Sequence, residues 1–180
     1  MKTEQDKNRS DDFENAFSQL MENEGGFSND KHDLGEKTIF GITIRDYPQV
    51  FCTIYQLYKE GNKALALKAA ENFYRKEFWN PLYEEIPDSS LAFKIFDLSV
   101  NRGKRTAIKI LQKVLYYEFG KTIAIDGIFG QITLGAIKGL PSEILYNAYI
   151  KRNEESYKKL STAWRFLKGW LNRLKKRIYI

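Results

Sequence analysis

The stretch Phe13-Glu14-Asn15-Ala16-Phe17-Ser18-Gln19-Leu20-Met21-Glu22-Asn23-Glu24-Gly25-Gly26 decides how this chain is read. Phe13, Ala16, Phe17, Leu20 and Met21 fall at the i, i+3, i+4, i+7 spacing of one helix face. Gly25-Gly26 ends the pattern. Ser10 suits the start of the helix, because its hydroxyl can accept from the first free backbone N–H groups. Asp11 and Asp12 then sit near the positive end of the helix, and residues 1–10 read as a loose leader. Glu24 stands seven after Phe17, four after Leu20 and three after Met21, so it continues the apolar stripe. Burial there would disfavour the charged carboxylate and raise its pKa. A carboxyl that keeps its proton near neutral pH is a general acid in waiting. On spacing alone the plainer role, capping the helix end or pairing with a lysine, stays open.

Beyond the glycines, residues 27–35 are rich in turn formers, and Lys37 to Ile44 is short and β-branched, a strand or hairpin arm. The chain is then predicted helical almost throughout. The expected helices are Gln49–Glu60, Lys63–Trp79, one opened by Pro87-Asp88-Ser89 and running to about Asn101, Thr106–Phe119, a short one at 131–138, a long one from Pro141 to about Leu160, and a last one at 163–177. Residues 121–130 are irregular. The sum is an α+β chain, predominantly helical, with one small β element near its N-terminus. It divides into a first part over 11–87 and a second over 88–180, expected to pack as one globular unit.

An apolar fraction of 43% with 14% aromatics excludes a disordered chain. Cys52 is alone, so no disulfide forms within the chain, and its apolar neighbours Val50 and Phe51 suggest a buried, inert thiol. His32 is also alone, which leaves no Cys/His cluster for zinc and a poor basis for a Ser-His-Asp triad. No metal or cofactor is expected. The start of the chain is polar, so no signal peptide is read there, and no apolar stretch approaches the ~20 residues of a membrane span. The net charge is +6, with Lys158, Lys159, Arg165, Lys168, Arg173, Lys175, Lys176 and Arg177 gathered near the end. Such a surface attracts polyanions or is simply solvated.

Other positions carry two readings each. Asp97 and Asn101 share a face of one helix with apolar neighbours. They either fix that helix against neighbouring backbone or line a cleft floor and contact a ligand. Trp79 and Trp170 are sugar platforms or core aromatics. Thr43 is a substrate contact or a helix N-cap.

Ordered motifs bear on these choices. Glu24-Gly25-Gly26-Phe27-Ser28-Asn29-Asp30, Asp33-Leu34-Gly35, Thr38 and Gly41-Ile42-Thr43 resemble the opening signature of the glycoside hydrolase 108 family. These are phage and bacterial N-acetylmuramidases, some of them called secretion activator proteins. The resemblance continues through Phe78-Trp79, Ile86-Pro87, Phe96 to Gly103 and Leu111-Gln112. Asp126-Gly127-Ile128-Phe129-Gly130-Gln131-Ile132-Thr133 resembles the helical peptidoglycan-binding module that ends such proteins, and Gly169-Trp170-Leu171-Asn172-Arg173 resembles their closing motif. Lys31 and Glu36 depart from the family's usual proline and glycine, which bears on the loop rather than on the acid.

The resemblance implies a lysozyme-like fold and hydrolysis of the β-1,4 bond between N-acetylmuramic acid and N-acetylglucosamine, with Glu24 as general acid. The Glu-x8-Asp spacing with a nearby Thr also resembles the acid, carboxylate and hydroxyl set of phage lysozymes. It makes Asp33 a second carboxylate, although Asp33-Leu34-Gly35 is also an ordinary turn. Thr38, Thr43, Trp79, Asp97 and Asn101 complete the expected substrate contacts. The expected partner is the peptidoglycan glycan strand, met by a monomer in the periplasm or outside the cell after export by a route the sequence does not reveal. Two rivals remain: a non-catalytic peptidoglycan-binding accessory of a secretion or envelope assembly, and a basic nucleic-acid binder. The second has only charge behind it, and no nucleic-acid-binding pattern accompanies it.

Overall fold

The computed structural model describes residues 4–23 (side chains of Asp12 to Glu22), 37–160 and 167–176. Glu24, Asp33 and His32 lie outside the described residues. The chain divides into two compact units, residues 1–79 and 80–180. The division falls earlier than the expected change at 87, because Asn80 to Pro87 belongs with the second unit.

The first unit opens on α1 (Glu4–Asn23). This helix starts well before Ser10, the expected cap. Residues 4–9 are Glu, Gln, Asp, Lys, Asn and Arg, mostly sound helix formers with two acids at the favourable end. The predicted stripe is the buried one: Phe13, Ala16, Phe17 and Leu20 are all inside, Leu20 fully. Strands β1 (Thr38–Ile39) and β2 (Ile42–Thr43) pair antiparallel, Thr38 opposite Thr43 and Ile39 opposite Ile42. The two-residue turn between them has positive φ at Phe40 (51°) and Gly41 (77°). This mirror-image turn matches strand twist, and Gly41 takes its half without steric cost.

Helix α2 (Pro48–Lys59) begins on a proline, which loses nothing at a first turn. Its buried face is Phe51 and Ile54; Cys52, one step round the helix, is exposed rather than buried as expected. Helix α3 (Lys63–Phe78) buries Ala66, Ala70, Tyr74 and Phe78. Tyr74 is the junction. Its ring lies 5.7 Å from Phe17 of α1, and its hydroxyl donates to the Phe40 carbonyl at 2.9 Å. Replacing Tyr74 with Phe should cost about 1 kcal/mol of stability, the net worth of such a bond. Urea unfolding checks it.

The second unit starts with a 3-10 turn, Pro81–Glu85, which sequence periodicity had passed over. Asn80 fixes it by accepting from the Leu82 N–H (3.0 Å) and donating to the Phe129 carbonyl (2.8 Å). Helix α4 (Ser89–Arg102) is capped by Asp88, which accepts from the Ser90 N–H. It is buried on all sides from Ser90 through Ser99 and forms the axis of this unit. Around it lie α5 (Lys104–Tyr117), α6 (Gln131–Ile137), α7 (Ser142–Lys158) and α8 (Leu167–Lys175).

The irregular 121–130 segment is organised by one side chain. Gln112 donates to Asp126 Oδ1 (2.8 Å) and the Ile128 carbonyl (3.1 Å), and accepts from the Gly127 N–H (2.8 Å). The Ile128 N–H and the Gln112 amide hold the Asp126 carboxyl below the usual carboxylate range. Gly127 has φ +82°, and an added Cβ would stand 2.5 Å from Arg105 Cγ and 2.9 Å from the Arg105 carbonyl oxygen. Gly127→Ala should therefore destabilise by about 1–3 kcal/mol, seen as a lower Tm.

Candidate active site

In the first unit the residues on either side of the Glu24–Glu36 segment are both anchored. Asn23 ends a helix whose Phe17 packs on Tyr74, and Thr38 opens the hairpin whose turn carbonyl accepts from that same Tyr74. Segments that connect the elements of a rigid scaffold are frequent seats of functional groups.

The hairpin sorts its own side chains. Residues opposite each other in an antiparallel pair share a face. Thr38 and Thr43 therefore stand together, half-buried, on one side, while Ile39 and Ile42 are buried on the other. The Thr43 hydroxyl is occupied locally: it donates to Asp46 Oδ2 at 2.8 Å and accepts from the Asp46 N–H at 3.1 Å. Arg45, then Thr43, holds the exposed Asp46 carboxyl low. Thr43 thus caps a single turn, not the following helix, whose flanking residue is Tyr47 with no side-chain cap.

Trp79 is 8% exposed, with its ring edge-on to Phe13 at 5.4 Å, so it is a core aromatic in place of the expected sugar platform. Trp170 is half-buried against Tyr157, ring centroids 5.3 Å apart.

Asp97 and Asn101 part company. Asn101 is exposed, and its amide folds back onto the Asp97 carbonyl at 2.6 Å. Asp97 is 2% exposed and turned inward. Its Oδ1 accepts from Arg173 Nε (3.0 Å) and Nη2 (2.8 Å) of α8. Lys94, 1% exposed, lies 3.7 Å from Asp97 Oδ2 and donates to the carbonyls of Arg173 and Lys176, both at 3.1 Å. Burial pulls the Lys94 amine below its ordinary pKa, opposed by Asp97. Of the two readings of Asp97, these contacts support the fixing of one helix against another's backbone. Lys94 escaped the sequence reading. Its signal was a cation three before Asp97 within the apolar run from Leu91.

Helices with a small antiparallel hairpin, and a helical second unit organised around an Asp-Gly loop, define a lysozyme-like architecture. Residues 17–103 match the model of glycosyl hydrolase 108, and residues 106–175 match that of a predicted peptidoglycan domain. A solved structure titled "Structure of Brucella abortus SagA" superposes with a TM-score of 0.69 at 25% identity, covering 92% of this chain and 90% of that one. No protein of curated function matches. Both matches agree with the resemblance carried by the ordered motifs of the sequence. The chain is a lysozyme-like protein related to peptidoglycan, and no described helix is long and apolar enough to cross a membrane.

Proposed function

We propose that the chain is an N-acetylmuramidase that hydrolyses the β-1,4 bond between N-acetylmuramic acid and N-acetylglucosamine, with Glu24 protonating the leaving oxygen. The observation that carries this reading is the buried stripe of α1. Phe13, Ala16, Phe17 and the fully buried Leu20 lead, at helical spacing, to the Glu-Gly-Gly sequence, and the family match begins within that helix at residue 17. Desolvation favours the protonated form of an acid at such a position. Asp33 is the second carboxylate, and the hairpin face carrying Thr38 and Thr43 borders the segment that holds both acids. The protein works on the bacterial cell wall as a monomer.

Purified walls test the reading. The wild-type chain should clear a wall suspension and release soluble fragments. Co-sedimentation with the walls, without release, would instead identify a binding accessory.

Stereochemistry gives a second test. Eight residues separate Glu24 from Asp33; two of them are glycines, Gly25 and Gly26, and Gly35 follows two beyond Asp33. Carboxyls about 6.5–9.5 Å apart leave room for water on the far face of the sugar and invert the anomeric carbon; about 5–5.5 Å gives retention. Inversion is expected. NMR of freshly released reducing ends should then show the α-anomer first, and an initial β-anomer would overturn inversion while leaving Glu24 as the acid.

A further inference from the structure

The first unit carries a cleft of about 520 Å³ between α2 and α3 that the hydrolytic reading does not use. Its size lies within the roughly 300–1,000 Å³ range of small-ligand sites. Tyr47 and Phe73 form an aromatic corner, rings edge-to-face at 4.7 Å, above an aliphatic floor that includes Val50 and Ile54. Phe78, 6.3 Å from Tyr47 and 5.9 Å from Phe73, backs the corner and fixes both rings.

Three polar side chains at the rim are uncommitted. The side-chain amides of Gln49 and Asn72 and the hydroxyl of the half-buried Tyr47 make no hydrogen bond within the described residues, while Lys76 and Glu77 add one charge of each sign. Burial, reinforced by the carboxylates of Glu77 and Asp46, pushes the Tyr47 phenol up, so it remains a neutral donor.

Rigid aromatic faces with free amides beside them suit a ligand that is apolar on its ring face and polar at its edges. A purely apolar partner would leave three uncommitted polar groups to be buried at a cost. A highly charged one would find only a balanced pair. A pyranose ring with an acetamido substituent meets both demands: its C–H face packs on Tyr47 or Phe73, and its amide pairs with Gln49 or Asn72.

We propose that this cleft is an auxiliary binding site for N-acetylated sugar residues of the glycan strand, holding the polymer away from the point of cleavage. Each extra tethered contact raises the effective concentration of the strand at the site of chemistry. The inference rests on peptidoglycan being the substrate, but it is tested by binding and so separately from Glu24.

The probe is a β-1,4-linked N-acetylglucosamine tetramer titrated into the full chain bearing Glu24→Gln, followed by NMR. Resonances of Tyr47, Gln49, Asn72 and Phe73 should shift saturably. Ala69→Trp, from the α3 wall, and Thr53→Trp, from the α2 wall, should each fill the cleft and weaken that binding by about tenfold or more, roughly 1.4 kcal/mol. Unchanged circular dichroism would show that each plugged chain folds, and the two walls provide independent variants. Cleft resonances that do not move, or equal affinity in both plugged chains, would overturn the site. A response to free stem peptide but not to the sugar would overturn its assigned ligand. Lysis by the wild-type chain with a silent cleft removes only this inference, whereas cleft binding without lysis removes only the muramidase reading.

Discussion

Glu24→Gln is expected to reduce wall lysis by roughly 10²–10⁴-fold or more, the contribution of a positioned general acid. The amide is close to isosteric with the carboxyl, so side-chain shape is kept. It has no acidic proton to give, and the departing sugar must leave as an alkoxide. On the reading that Glu24 continues the apolar stripe, stability should hold or rise, because the neutral amide avoids part of the cost of burying a carboxyl. Turbidity of purified walls, thermal unfolding and co-sedimentation form the necessary set. Lysis should be lost, with Tm unchanged or higher and wall binding retained. Near wild-type lysis by the Gln chain would remove Glu24 from the chemistry.

The second large effect concerns stability. Asp97→Ala should destabilise the chain by about 3 kcal/mol, the lower end of the range for breaking a buried pair. The Asp97 side chain is 3% exposed and that of Lys94 1%, whereas that of Arg173 is 22% exposed and regains some hydration. Loss of the carboxylate leaves the Lys94 amine buried with only the Arg173 and Lys176 carbonyls as partners. Helix α8 is then the element to loosen, since its bonds to Asp97 and Lys94 of α4 run through this cluster. Urea unfolding reads the global loss, and amide hydrogen exchange across residues 167–176 should rise more than across α5. Asn101→Ala is the control. Asn101 is exposed and bonds only to its own helix, so it should cost well under 1 kcal/mol. Equal losses from Asp97→Ala and Asn101→Ala would contradict the clamp.

Much of the fold was legible because its helices are amphipathic. The stripe of α1, the boundaries of α2 and α3, and the irregular Asp126-Gly127 segment all follow from apolar period and punctuation by Gly and Pro. Three features were not. The early start of α1 depends on polar residues with adequate helix propensity and no periodic signal. The 3-10 turn at Pro81–Glu85 is held by contacts from Asn80 to distant Phe129, which no local pattern encodes. The exposed face of Cys52 depends on which side of α2 packs inward.

The candidate site was legible to a different degree. Hairpin pairing carries Thr38 and Thr43 onto one face, a juxtaposition that follows from strand register and not from any local pattern. Trp79 and Asp97 look the same in sequence whether they serve a ligand or the interior. Only their partners, Phe13 for the ring and Arg173 for the carboxylate, separate the two roles. Lys94 was hidden because a lysine inside an apolar run is ordinarily assumed to reach solvent. Here it ends on two helix carbonyls instead.

The central claim, that this chain cleaves the muramyl glycosidic bond, is tested most directly by the chemistry of its products. Purified peptidoglycan is digested with the wild-type chain, the soluble fragments are reduced with borohydride, and mass spectrometry identifies the sugar at each new reducing end. Reduced N-acetylmuramic acid is expected at those ends, appearing with time and absent with the Glu24→Gln chain. Reduced N-acetylglucosamine at the new ends, or walls bound but yielding no new reducing ends, would contradict it.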